Sequence, residues 1–477
     1  MPFNTITFLV FFILFTCVFY FVSAKYKTDL LILGSCFFYG YSNIFNIFNL
    51  IITIVVTYFF ANRIRKKSNG KNYLIIGVLL ILLQLILGKY SNNFLRLFSM
   101  NLTSTNNFFN YFILPIGISF YSLQAISLLV DVHNKKYTDE LNFKEVSLFL
   151  SFFPQSISGP IHRANELIPQ FNFYKNIQVN NIVIGLKLML WGYFCKLIIA
   201  NKISIITTPI FSTFNEQDGL SLLISSLLYS LQIYFDFWGY SLIAIGVGRI
   251  LGFSININFN NPYLAGSFKE FWHRWHITLS KWMRDYVYIP LGGYNKKRYI
   301  FFFISIFITF LVSGFWHGIT LNFIIWGSVH AFLYLAENFI RKYKSIFTWF
   351  QMPHFALRFI RFFRIILFFV VISLTWLIFR TESFFELVEM LKKMMSVSNW
   401  SMVNVSKNFL TMTNTIYLVI IMGTLLFSQS IFLKQKTENI PTSAVTIITD
   451  SIFVCFCITL IILIGDIGSQ EFLYFKF

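Results

Sequence analysis

The sequence predicts an all-α integral membrane protein that crosses the bilayer many times, and three observations predict it. The 477-residue chain is 56% hydrophobic and only 12% charged, where soluble domains carry about 25% charged residues. Apolar runs of spanning length, about 17 to 25 residues, recur along the chain, roughly eleven to thirteen in all. Its 62 phenylalanines suit both the hydrocarbon core and the headgroup boundary. The formal charge of +19 falls in short clusters between apolar runs, which is the pattern of cytoplasmic loops rather than of a nucleic-acid-binding surface. Cys17, Cys36, Cys195, Cys455 and Cys457 lie in apolar segments without metal-ligand spacing, so neither a disulfide framework nor a metal site is expected.

The first three spans are expected near residues 7–24, 28–41 and 44–62, the first being a retained helix because no basic segment precedes it. Lys25 and Lys27 follow the first and Arg63-Ile64-Arg65-Lys66-Lys67 the third, which places the N-terminus outside. Residues 73–88 make a fourth span and 108–130 a fifth, kinked by Pro115 and Gly117. Residues 146–161, broken by Pro154, Gly159 and Pro160, suit a re-entrant segment. Spans at 182–200 and 220–251 follow. In the second, Gln232, Asp236 and Tyr240 share one helix face, and Asp236 needs Arg249 or a lysine from another helix as its partner.

Residues 269–289 are helical in period but not a span. Phe271, Trp275, Leu279, Trp282 and Tyr286 recur at steps of three or four, with Lys269, His273, Ser280 and Arg284 on other faces, which predicts one amphipathic interfacial helix. Pro290 ends it, Gly292-Gly293 turns, and Lys296-Lys297-Arg298 supplies a cytoplasmic basic cluster. Apolar runs 299–312 and 321–337 flank Gly314-Phe315-Trp316-His317-Gly318, whose glycines allow close helix approach. Residues 341–364 read as a surface connection broken by Pro353, 365–379 as a span, 382–395 as a short amphipathic helix and 396–407 as a loop. Spans near 413–433 and 445–464 complete the chain.

Four of the seven histidines lie between Lys269 and Ala331. An ionisable residue at membrane depth costs roughly 2.5 to 3.5 kcal/mol when charged, so His317 is a functional candidate, with a hydrogen-bonded packing role as its equal alternative. His276 and His317 can share a pocket, where one neutral imidazole takes a proton from a hydroxyl and the other orients or polarises an acyl group. Positioned bases contribute about 100- to 10,000-fold in rate. No Gly-x-Ser-x-Gly elbow or other nucleophile arrangement appears, so a covalent acyl-enzyme is the weaker mechanism. His273 is read as an interfacial residue, His330 and His162 as structural, and His133 and His354 as loop residues.

The run Phe271-Trp272-His273-Arg274-Trp275-His276-Ile277-Thr278-Leu279-Ser280, with Trp282, Arg284-Asp285-Tyr286 and Ile289-Pro290-Leu291-Gly292-Gly293, resembles the central signature of the membrane-bound O-acyltransferases. The alginate O-acetyltransferase branch is the most similar. Gly314-Phe315-Trp316-His317-Gly318 resembles the second signature. Further landmarks occur in family order: Leu114 to Tyr121, Phe152-Phe153-Pro154-Gln155 with Ser158-Gly159-Pro160, Tyr234 to Ser241, and Thr375 to Arg380. His273 and Trp238 depart from the common pattern, which leaves the acceptor open.

The resemblance implies one membrane domain over residues 1–477. Its signature core covers 110–380, and its helices, interfacial and re-entrant segments included, surround a central tunnel in the cell membrane. It implies His317 as the catalytic residue beside His276, with Trp272, Trp275, Arg284, Asp285, Trp316 and Asp236 lining the tunnel or positioning substrate. No bound cofactor or metal is implied. The donor is acetyl-CoA or another acyl thioester, and the partners are membrane lipid, an extracytoplasmic acetyltransferase and polysaccharide biosynthesis machinery. Acetyl passes outward to an envelope glycan directly or, preferably, through the partner. D-alanyl transfer to teichoic acid or acyl transfer to peptidoglycan is the alternative within the family. Outside it stand a transporter using Asp236, His317 and His330 as a path, for which an aromatic interfacial helix carrying His276 is unnecessary, and a scaffold for which neither histidine matters.

Overall fold

A computed structural model describes residues 1–66, 70–97, 115–156, 159–171, 177–294, 299–343, 354–421, 423, 444–465 and 473. Among them the regular elements are helices. The first eight are α1 (Ile6–Phe21), α2 (Lys27–Gly40), α3 (Phe45–Lys66), α4 (Gly70–Leu97), α5 (Ile118–His133), α6 (Phe143–Ser151), α7 (Ala164–Phe171) and α8 (Val179–Phe194). Then come α9 (Asn201–Ser212), α10 (Gly219–Ile250), α11 (Phe268–Arg274), α12 (Ile277–Met283), α13 (Tyr299–His317), α14 (Leu321–Tyr343) and α15 (His354–Arg380). The last are α16 (Phe384–Met395), α17 (Met402–Phe409), α18 (Met412–Ile421) and α19 (Ala444–Ile464). Residues Met1–Met189 with Ser241–Ile257 form one compact unit, and Leu190–Tyr240 with Asn258–Phe477 a second.

Seven helices among the described residues are long and apolar enough to cross a membrane, which agrees with an all-α, multi-pass protein. Four more apolar stretches of 10 to 17 residues, in α1, α5, α18 and α19, occur among the described residues, and the parts of the expected spans that fall on residues 98–114 and 424–443 lie outside them. Gly117 adopts a left-handed φ of 76°, and α5 starts immediately after it; residues 108–114, on the other side of Pro115, lie outside the described part. Two other spans are longer than expected. A π-helical turn at Cys195–Ala200 carries α8 into α9, and Asn201 and Lys202, just past the expected end, are buried. The basic stretch from His354 is the first part of α15 rather than a surface connection. Residues expected as a loop after Met395 instead contain a short 3-10 turn and α17, and His133 and His354 sit at helix ends rather than in loops.

In the first unit the short helix α6 ends at Ser151, consistent with a segment too short to span. A turn then brings His162 into the interior, 1% exposed. Its Nδ1 lies 3.0 Å from both Gln155 Oε1 and the Pro160 carbonyl, and its Nε2 accepts the Asn256 N–H at 3.0 Å. A carbonyl only accepts and a backbone N–H only donates, so this imidazole is neutral with its proton on Nδ1. Burial pushes its pKa down to about 4, in keeping with the structural role expected for it.

The second unit is built on aromatic packing. Trp275, Trp326 and Trp376 are each about 1% exposed, and their rings meet at 4.7 Å (Trp275 and Trp376) and 6.1 Å (Trp326 and Trp376). Such offset and tilted contacts add about 0.5 to 1.5 kcal/mol each beyond the area they bury. This cluster sits beneath both histidine signatures.

Candidate active site

The interfacial helix expected over residues 269–289 is in fact two helices and a π-helical turn (Arg284–Tyr288). Ser267 caps α11 by accepting the Glu270 N–H at 3.2 Å, and Glu270 reaches back to the Gly266 N–H at 3.0 Å, a capping box shifted by one residue. The helix stops because its last groups bond elsewhere. The Arg274 carbonyl accepts from Asn260 N–H at 2.9 Å, and the Ile277 N–H donates to the Asn258 carbonyl at 2.9 Å. Between them His276 takes a left-handed φ of 40°, uncommon for a residue with a Cβ and a marker of an enforced conformation. The three- and four-residue spacing still identified the buried side chains: Phe271, Trp275, Leu279 and Trp282 are interior, while Lys269, His273 and Arg284 are exposed.

The break points the His276 imidazole inward, 1% exposed. Its Nδ1 lies 3.0 Å from Asn258 Oδ1, which also accepts the Thr278 N–H at 3.2 Å and the Thr278 hydroxyl at 2.9 Å. Phe237 meets the ring edge-on at 4.7 Å, and the Trp316 ring lies 6.2 Å away. Burial alone lowers the His276 pKa, to about 3, so the imidazole is neutral at physiological pH.

His317 is the last residue of α13 and 4% exposed. Gly314 and Gly327 let α13 and α14 approach until backbone meets backbone: a Cβ at Gly327 would stand 2.5 Å from the Phe310 carbonyl, and one at Gly314 would collide with the Phe323 carbonyl. At Gly314 this is the small-residue approach expected from the sequence, and Gly327 completes it from α14. The imidazole is boxed by Trp316 at 4.9 Å, Phe379 at 5.1 Å and Trp326 at 5.4 Å. Asn322, at the start of α14, donates to the Thr381 carbonyl at 2.7 Å and to its hydroxyl at 3.1 Å, which fixes the end of α15 and with it Phe379. Trp316 therefore contacts both candidate histidines.

Behind this group lies His330, whose Nε2 is 3.1 Å from Thr375 Oγ1; the threonine hydroxyl itself donates to the Ile372 carbonyl at 2.7 Å. Its ring packs on Trp326 at 4.7 Å and Trp272 at 5.2 Å. His330 thus supports Trp326, the same indole that walls His317. The structure gathers His276, His317, Trp316, Trp272 and Trp275 into one aromatic cluster. Arg284 and Asp285 instead pair with each other at 2.7 Å on the π turn. Asp236 forms an ion pair with Lys196 at 2.5 Å, both side chains 2% exposed, and also accepts the Leu473 N–H at 2.8 Å. His273 is exposed across the break from His276. The basic cluster Lys296 to Arg298, with Leu114 and Ser158 among the landmarks, lies outside the described residues.

Several partners in this geometry were not singled out from sequence: Asn258, Asn322 and Lys196, while Thr278 and Thr375 were read only as members of signatures. Only Lys196 carried a usable signal, an ammonium inside a spanning run, which demands a buried partner. No group of three or more His, Cys, Asp or Glu residues suited to a metal occurs among the described residues.

Comparison with known proteins agrees with the motifs. The model of the membrane-bound O-acyltransferase family matches residues 9–379. A peptidoglycan O-acetyltransferase of Helicobacter pylori is 33% identical over 437 residues, covering 84% of this chain and 80% of the relative. The protein named probable alginate O-acetylase AlgI in Pseudomonas syringae is 32% identical over 439 residues, covering 90% and 81%. A teichoic acid D-alanyltransferase of Bacillus subtilis is 30% identical over 242 residues, covering 49% and 61%. The two histidine signatures, the multi-pass helical fold and the family match agree, and the chain is an O-acyltransferase belonging to the membrane-bound O-acyltransferase family.

Proposed function

We propose that this enzyme resides in the cell membrane and takes acetyl from a cytoplasmic thioester, acetyl-CoA, for O-acetylation of an envelope polysaccharide. Two O-acetylating relatives, named for peptidoglycan and alginate, support acetyl as the acyl group. The observation that carries the mechanism is the pair of buried imidazoles sharing Trp316. An acceptor hydroxyl oxygen attacks the thioester carbonyl carbon, and His317 takes the hydroxyl proton. The new C–O bond forms, the C–S bond breaks, and the sulfur leaves with that proton returned from His317, so the base is regenerated. His276 orients the reacting groups, and Trp272, Trp275 and Trp316 exclude water from the thioester. We favour delivery through an extracytoplasmic acetyltransferase as the immediate partner, with polysaccharide machinery and membrane lipid around it; Arg284 and Asp285 are assigned to positioning at the mouth of a tunnel between the helices.

The test is acetyl release from radiolabelled acetyl-CoA by purified protein in lipid. Wild type should transfer label, His317→Ala should lose at least the about 100-fold that a positioned base supplies, and His276→Ala should keep a measurable remainder. Equal rates in all three would remove the catalytic assignment and favour a scaffold. Label from D-alanyl thioester instead of acetyl would favour the reading suggested by the Bacillus subtilis relative's name.

A further inference from the structure

We propose that Asn258, aided by Thr278, is a positioning residue that holds His276 in one tautomer, so that this histidine meets substrate as a hydrogen-bond or proton acceptor and never as a donor to the acyl carbonyl. This rests on the reading of His276 as part of the acyl-transfer site. The inference begins with an atom whose identity is fixed. The Thr278 backbone N–H can only donate, and it points at the Asn258 side chain from 3.2 Å, so the atom it meets is the amide oxygen rather than the amide nitrogen. The same oxygen stands 3.0 Å from His276 Nδ1. An oxygen that accepts everywhere obliges the imidazole to donate, so the ring proton is on Nδ1 and the lone pair of the neutral ring is on Nε2.

The arrangement is built rather than incidental. Asn258 is 1% exposed, its own carbonyl accepts the Ile277 N–H, and the left-handed turn at His276 brings Nδ1 onto the amide. One segment thus supplies the break in the helix, the ring orientation and the proton position. Among the described contacts, the rings against His276 are Phe237 from α10 and Trp316 from α13; Asn258, from the stretch before α11, meets its Nδ1, Thr278 bonds the same amide oxygen, and His317 follows Trp316 in the chain. Of the two roles open to a second imidazole, accepting and polarising, this geometry selects accepting.

Two measurements test it. Imidazole nitrogen NMR of histidine-labelled protein, with His276 assigned by its loss in His276→Ala, should show a protonated Nδ1 and a bare Nε2 in wild type, and a mixture of tautomers in Asn258→Ala. A protonated Nε2 in wild type would overturn the proposal, whatever the activity. The second measurement is the pH profile of acetyl transfer. Asn258→Asp keeps an acceptor for all three donors but adds a negative charge beside the ring, which should raise the pH at which activity falls on the acid side by about 1 to 3 units. Asn258→Ala should lower kcat at least about 10-fold with a smaller change in KM, and Thr278→Val should fall between it and wild type. Rates and pH profiles of Asn258→Asp and Asn258→Ala that both follow wild type would overturn the positioning role. If wild type transfers no acyl group while its spectrum shows the expected tautomer, the acyl-transfer reading fails and the hydrogen-bond lock stands; these two failures are therefore distinguishable.

Discussion

Asp236 and Lys196 show most plainly how a residue's sequence signal is completed by structure. An acid inside an apolar run demands a partner, and sequence left Arg249 or a lysine open; the structure pairs it with Lys196 at 2.5 Å. Breaking a buried pair leaves an unpaired charge, at a cost of about 3 to 5 kcal/mol, whereas replacing both members with apolar residues is often close to neutral. Asp236→Ala should therefore lower thermal stability in detergent far more than the double change Lys196→Met with Asp236→Leu, as read by the unfolding midpoint. Similar losses in the two proteins would show that the site needs the charges themselves. His276 and His317 were legible because each is an imidazole in an aromatic, apolar setting. Asn258 and Thr278 were not: their importance lies in a hydrogen-bond pattern made by a left-handed turn, and neither composition nor period records a single φ angle.

At the scale of elements, hydrophobic period located buried faces better than it located ends. Phe271, Trp275, Leu279 and Trp282 are interior as their spacing requires, yet the helix they seemed to share is broken, because backbone groups of Asn258 and Asn260 take the bonds that would have continued it. The end expected at 200 moved because a buried π turn carries the helix onward. The glycine pattern around His317 was read correctly as close approach. At Gly327 there is no room for a side chain beyond hydrogen, so Gly327→Val should separate α13 from α14 and destabilise the protein by about 1 to 3 kcal/mol. The accompanying loss of acyl transfer should appear in protein that still fractionates with membranes; unchanged activity and melting would mean that the hairpin adjusts freely.

For the whole molecule, class and family were legible because they depend on sums: apolar content, run length and the order of several motifs. The ends of the spans were less so, since a run of apolar residues does not reveal where its backbone departs from helix. Stability is also a property of the whole, and two buried histidines give it a sign. His162 and His276 have folded pKa values near about 4 and 3, below the 6.5 of an unfolded chain, so as pH falls below about 6.5 the unfolded state binds protons that the folded state refuses. The stability their burial contributes is present above that pH and is lost as pH falls towards their folded values. The melting midpoint should therefore decline progressively on acidification from about pH 6.5, and His162→Gln should decline less steeply than wild type. A midpoint equally steep in both proteins would assign the acid sensitivity to other groups.

The Lys196–Asp236 pair has a consequence for how the chain is made. Forty residues separate the two positions, so during synthesis the ammonium emerges well before the carboxylate that neutralises it. A lone lysine at the centre of a helix disfavours entry into the bilayer by roughly 2.5 to 3.5 kcal/mol. The segment holding Lys196 should therefore insert less readily by itself than together with the segment holding Asp236, whose carboxylate neutralises it.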